Sequence, residues 1–91
     1  MTALTDKTCR DLIGSLCIRR GWTVRGGDGV PIVLLTGDGR CAAVGTRWTN
    51  LFENLYDAAQ GRVGAGLPAD FLDWARRCSS AEEFAFMTGV A

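Results

Sequence analysis

Five arginines, Arg19, Arg20, Arg25, Arg40 and Arg47, fall in the middle of this chain, interleaved with Trp22 and Trp48. A guanidinium group makes planar, paired hydrogen bonds with a carboxylate or a phosphate. Arg and Trp are also the residue types that dominate binding hot spots. Gathered near one end of a sheet, these side chains would form a platform for a phosphate, a nucleotide or an acidic protein surface. The plainer alternative is a set of solvated charges around two core tryptophans. The arginine usage itself, nine of the ten basic residues, also fits a genome rich in G and C.

Other chemistry is thinly represented. The sequence has no His, which removes the usual general base and every Ser-His or Cys-His nucleophile pair. Cys9, Cys17, Cys41 and Cys78 show no C-x-x-C spacing, so neither a zinc site nor a disulfide framework is expected, and all four are read as small core hydrophobes. Asp28 and Asp38 flank one predicted strand. At ~3.3 Å of rise per residue they stand too far apart for one acid–base or Mg²⁺ site, and turn chemistry accounts for both. Asp70 and Asp73, three apart, suit the positive end of a helix. The stretches RGGDGV and TGDGRC lack the spacing of a phosphate loop and read as hairpin turns, while GRVGAG reads as a helix connection. No catalytic residue, metal ligand or cofactor is expected.

The chain has 91 residues, 47% of them hydrophobic and 22% charged, with a net charge of zero. That length predicts one compact domain, 1–91. Neutrality argues against both a strongly basic nucleic-acid binder and an acidic DNA mimic. The charge is unevenly placed: positions 19–47 carry five Arg against two Asp, and positions 48–91 carry three Arg against six acids. No apolar run approaches the ~20 residues of a membrane span, and MTALTDKTCRDL lacks the pattern of a signal peptide. Those features point to a cytoplasmic setting with no membrane partner.

The elements that must position the arginines can be read from periodicity. Thr5 caps a helix over about Asp6 to Arg20, Gly21 stops it, and Cys9, Leu12, Ile13, Leu16 and Cys17 form its buried stripe. Three strands follow: Trp22–Arg25, Val30–Thr36 and Arg40–Val44. Gly26–Gly29 makes the first turn, and Asp38-Gly39 signals a two-residue hairpin. Pro31 belongs at a strand start or an edge. Ala42 and Ala43 leave room for a helix capped by Asn50, with Glu53 completing a capping box and Leu51, Phe52, Leu55, Tyr56 and Ala59 facing inward. Gly61 ends that helix and 62–66 is a loop. Pro68 opens another helix presenting Phe71, Trp74, Ala75 and Cys78. Ser80 and Glu83 form a capping box for a short last helix carrying Phe84 and Met87. The fold class is α+β: an N-terminal helix, a three-stranded antiparallel meander, then two to three C-terminal helices. The apolar hairpin Val30–Trp48 needs helices over one face and part of the other, and two strand edges stay open to a partner or a second copy.

Over Asp6–Gln60 the order helix, three strands, helix is similar to a double-stranded RNA-binding domain. In that family a basic cluster opens the second helix; the matching stretch here, Thr46-Arg47-Trp48-Thr49-Asn50, has one basic residue. The resemblance implies nucleic-acid or nucleotide binding. Val30–Met87 resembles the peptide-recognition domain of peptide-modification systems, which implies a leader peptide held against a sheet edge. In size and absence of chemistry the chain also resembles accessory proteins of phages and mobile elements, among them inhibitors of host defence complexes such as CRISPR. That likeness implies a non-catalytic protein-binding module that occupies a functional surface on a larger protein or complex, itself able to bind nucleic acid. The expected contacts are the Arg/Trp group and an open strand edge, through which a homodimer could also form.

Overall fold

The computed structural model describes residues 4–27, 29–61 and 67–90, except the side chains of Gly89 and Val90. The order is α1 (Asp6–Arg20), β1 (Thr23–Gly27), β2 (Val30–Leu35), β3 (Cys41–Gly45), α2 (Trp48–Ala59), α3 (Ala69–Ala75) and α4 (Ala81–Val90). This is the expected α+β layout, with three helices after the sheet. Asp28 and the 62–66 connection, each assigned a role from sequence, lie outside the described residues.

Helix α1 follows its sequence signals. The Thr5 hydroxyl accepts from the Thr8 N–H at 3.1 Å, and Gly21, at φ 70°, donates its N–H to the Cys17 carbonyl. Cys9, Ile13 and Leu16 are buried and Ile18 is exposed. The sheet is an antiparallel meander in the order β1-β2-β3. Its inner row pairs Val24 with Leu34 and Leu34 with Ala43.

Two irregularities shape the sheet. Between Leu34 and Leu35 the partner shifts from Ala43 to Cys41, so Ala42 is an extra residue in β3. That bulge lets Ala42 and Ala43, neighbours in sequence, both be buried. On the other side the register shifts between Arg25 and Gly27, opposite Pro31, which has no N–H to give the ladder. Gly26 there has φ 88°, and a Cβ would sit 3.0 Å from the Pro31 carbonyl carbon, so only glycine fits.

The β2–β3 turn differs from the expected two-residue hairpin. Thr36 donates to the Arg40 carbonyl at 2.8 Å and Gly39 to the Thr36 carbonyl at 2.9 Å, leaving the three residues Gly37-Asp38-Gly39 in the loop. Its last position, Gly39 at φ 85°, uses the left-handed region, as three-residue hairpins with a bulge require.

Helix α2 lies close against β3. A Cβ on Gly45 would fall 2.6 Å from the Leu51 Cα, so the strand glycine sets the helix–sheet distance. The helix starts two residues before the expected Asn50 cap. Arg47 occupies the N-cap without a side-chain bond, and Asn50 instead reaches back to accept from the Thr46 N–H at 2.9 Å. The missing cap comes from another helix: Asp6 of α1 accepts from both the Thr49 N–H and its hydroxyl at 3.1 Å. Gln60 and Gly61 end α2.

The expected capping box of α4 forms with a shift: Ser80 accepts from the Glu83 N–H, while Glu83 accepts from Ser79 rather than from Ser80. The helices meet in an aromatic cluster, with Phe84 within 6.0 Å of the rings of Phe52, Tyr56, Phe71 and Trp74. Phe52, Phe71 and Phe84 are fully buried, each worth ~1.5–3 kcal/mol of transfer free energy. No described helix is long and apolar enough to cross a membrane.

Candidate functional site

The fold divides the predicted Arg/Trp group among three places. Arg19, Arg20, Trp22 and Arg40 line one cleft of about 910 Å³. It lies between the end of α1, the β2–β3 turn, and the start of α3. Arg25 projects from the outer face of the sheet. Arg47 and Trp48 begin α2, the first exposed and the second half-buried against the core. The fold thus brings four of these residues to one cleft and places Arg25, Arg47 and Trp48 elsewhere. The reason is register: the sheet's period of two sends Arg25 away from the helices, and the path from β3 into α2 carries Arg47 away from the turn.

In the cleft, the positive and negative parts of the sequence meet. Arg20 Nη1 lies 3.1 Å from Asp70 Oδ2, and its guanidinium stacks 5.0 Å from the Phe71 ring and 5.9 Å from that of Trp22. Arg19 donates to the Thr88 carbonyl at 3.0 Å. Arg40 Nε lies 3.1 Å from Asp38 Oδ2. The Thr36 hydroxyl donates to Asp38 and, with the Arg40 guanidinium, holds its carboxyl below the ordinary carboxylate range. Trp22 is not a surface platform: it is 6% exposed and packs on Phe71 at 5.1 Å. Sequence reading missed the apolar walls Leu67 and Trp74. Both sit on the α3 side, and nothing local says that this side meets the hairpin turn. Trp74 Nε1 is buried without an acceptor among the described residues.

The outer sheet face forms the second surface. Two cross-strand rows cover it: Arg25, Val33, Val44 and, beside them, Thr23, Leu35, Cys41. Thr23, Arg25, Cys41 and Val44 are exposed, with Val44 at 44%, and Val33 and Leu35 are half-buried. The helices cover only the inner face, so the expected partial cover of the second face is absent among the described residues. The Cys reading needs the same correction. Cys9 and Cys78 are buried and Cys17 half-buried, but the bulge turns Cys41 out to solvent. Burial raises the thiols of Cys9, Cys17 and Cys78 above the ordinary range.

The two strand edges are unequal. On β3, Asn54 donates to the Val44 carbonyl at 2.7 Å. Among the described residues, no loop or side-chain hydrogen bond engages β1. Of the expected edges, β1 is the one left unoccupied.

Comparison of the chain with protein-family models, with curated proteins and with solved structures returns no match. Among the described residues, no three His, Cys, Asp or Glu side chains come together as metal ligands.

Proposed function

We propose that this protein is a non-catalytic protein-binding module whose outer sheet face docks on a larger protein. One observation carries the reading: a three-stranded sheet with one face packed on helices leaves Val33, Leu35, Cys41 and Val44 together on the other. Contiguous apolar surface of this kind marks interaction sites. With strands ~4.8 Å apart, the two rows span only a few hundred Å². A stable interface needs ~800 Å² per partner, so the apolar strip would be the centre and Thr23, Arg25 and the turn its polar rim.

Charge complementarity defines the occupant. The face carries one cation, Arg25, and no described carboxylate, so a second copy docked face to face on the same surface offers Arg25 nothing to pair with. The partner that fits is a protein presenting an apolar ridge beside an Asp or Glu. Occupation of a functional surface on a larger complex, as inhibitors of defence systems do, is the form of activity such a module would have. Nucleic acid fits less well, because an apolar centre with a single Arg gives little to a phosphate backbone. The unoccupied β1 edge favours a second reading, in which an extended peptide adds as a fourth strand.

The test is affinity capture with nuclease treatment, comparing the native chain with Val44→Asp, Arg25→Glu and Arg40→Glu. The expected result is one stoichiometric protein retained by the native chain and by Arg40→Glu, lost with Val44→Asp and weakened with Arg25→Glu. Bound partner should also shield Cys41 from alkylation. Retention by Val44→Asp with the fold intact removes the outer face. Loss of all protein after nuclease supports the nucleic-acid reading instead, and a concentration-dependent molar mass supports self-association.

A further inference from the structure

We infer that the β1 edge takes up one extended strand of another protein, antiparallel, in which an Asp or Glu stands beside Arg25 and directly precedes an apolar residue opposite Val24. The inference rests on the strand-addition reading above and names the segment that would fit it. The hydrogen-bond pattern sets the register. Thr36 donates its N–H to the Arg40 carbonyl and accepts from the Gly39 N–H, so both of its backbone groups turn toward β3. Along a strand these groups point alternately to the two sides, which turns Leu35 and Val33 toward β1. Their partners there are Thr23 and Arg25. Val24, between them, therefore directs both its N–H and its carbonyl to the open edge. Trp22 adds only a carbonyl, because its N–H donates to the Cys17 carbonyl at 3.1 Å. Beyond Arg25 the bulge at Gly26 interrupts the ladder, and bulges of this kind terminate pairing at a sheet edge. From Trp22 to Val24 the edge thus offers one donor and two acceptors, enough to hold a short strand.

Side-chain placement and charge describe the occupant. In antiparallel pairing the residue opposite Val24 exchanges two bonds with it, and the second residue after that one donates to the Trp22 carbonyl. The residue before it lies opposite Arg25. Because Arg25 spends its own backbone groups on Val33, this is a non-hydrogen-bonded pair, the kind in which facing side chains stand closest. Arg25 is exposed and makes no ion pair or side-chain hydrogen bond among the described residues. A carboxylate at that position is the complement it lacks. The residue opposite Val24 falls on the inner face, in line with Leu34 and half-buried Val24, where an apolar side chain fits. A second copy of the chain fits less well. Paired about Val24, it would set Thr23 opposite Arg25 and leave the guanidinium without a counter-charge.

The probe is the capped peptide acetyl-Ser-Glu-Val-Thr-Val-Ser-amide, titrated into isotopically labelled protein and followed at the backbone N–H signals. Its Glu is placed for Arg25, its first Val for Val24 and its second Val for Trp22. The expected result is a saturable downfield shift of the Val24 N–H with slower exchange against water. Thr23 and Arg25, whose N–H groups are already paired with β2, should shift less. N-methylation of the first Val removes the donor to the Val24 carbonyl and should abolish binding. N-methylation of the Thr, whose N–H points away from the sheet, should leave affinity within about two-fold. Replacing the peptide's Glu by Lys should weaken binding about two- to five-fold, the weight of one exposed ion pair. Arg25→Glu, with an unchanged far-ultraviolet spectrum, should reverse the preference, so that the variant binds the Lys peptide more tightly. Equal binding of the Glu and Lys peptides, with the N-methyl pattern intact, keeps strand addition and overturns the acidic partner. Absence of a saturable Val24 shift removes strand addition and this inference with it. A Val24 shift that grows with protein concentration alone overturns the inference in favour of self-pairing. The outer-face reading is tested separately, at Val44.

Discussion

Replacement of Gly45 by Ala should be among the most damaging single-methyl changes in this chain. The added Cβ would stand 2.6 Å from the Leu51 Cα and 3.0 Å from the Asn50 carbonyl carbon. Carbon atoms in contact rest at ~3.5–4.0 Å, so the first turn of α2 must retreat by about 1 Å. It cannot do so alone. Leu51, Phe52 and Leu55 are fully buried, and moving them opens the core against β2 and the aromatic cluster. Overpacking costs ~1–3 kcal/mol, and the upper part of that range applies because the obstacle is backbone. A domain of this length has roughly 5–14 kcal/mol in total. At ~4–8 °C per kcal/mol, Tm should fall by roughly 10–20 °C. Gly14→Ala is the matched control. It adds the same methyl in the middle of α1, where a Cβ meets nothing within 4 Å, and should stabilise by ~0.5–1 kcal/mol through helix propensity. Urea and thermal unfolding, followed by circular dichroism and Trp fluorescence, give both values. A Gly45→Ala loss below ~0.5 kcal/mol, the size of an ordinary surface change, refutes the close approach of α2 to β3.

Four further outcomes follow from single contacts. Glu83 is held below its ordinary pKa, first by the Ser79 hydroxyl and then by the Ser79 N–H. Its contribution is therefore present above the unfolded value of ~4.3 and lost as pH falls through the lower folded value; Glu83→Gln should flatten the fall of Tm on the acid side, and parallel Tm–pH curves for the two proteins would contradict this. Asp6→Ala should cost ~1 kcal/mol, as loss of an N-cap does, and hydrogen exchange should show the fraying in the first turn of α2 as well as in α1; fraying confined to α1 would show that Asp6 does not cap α2. Under native conditions iodoacetamide should alkylate Cys41 first, since the other thiols are buried or half-buried, and Cys41→Ser should abolish the fast phase. Trp74→Phe should change stability by less than ~1 kcal/mol, because removing a buried donor without an acceptor offsets part of the lost packing; a loss of more than ~2 kcal/mol would place an acceptor on Nε1.

Local signals were enough for the elements. Thr5 and Gly21 bound α1 as their side-chain oxygen and left-handed φ require, and the apolar positions of α2 that repeat at helical spacing are all buried. Where two signals competed, tertiary contact decided. Asn50 is a good N-cap residue, yet α2 begins at Trp48, because Asp6 from another helix satisfies the Thr49 N–H. Asp38-Gly39 favours a two-residue turn, yet the bulge at Ala42 and the Thr36–Arg40 bond settle a three-residue one.

The site shows the same division. Residue types alone marked Arg and Trp as the chemistry-bearing set, and periodicity alone established that the hairpin is apolar on both faces. Sequence by itself thus determined the kinds of group available and the elements carrying them, because capping, turn conformation and alternation act over a few residues. Only the tertiary structure decided which groups meet. The cleft joins Arg20 to Asp70 across fifty positions and Arg19 to Thr88 across sixty-nine, and the uncovered sheet face exists because α2 packs on one side of the strands and no described element packs on the other. Such long-range pairings depend on the summed fit of helices against a sheet, a property that no short stretch of chain encodes.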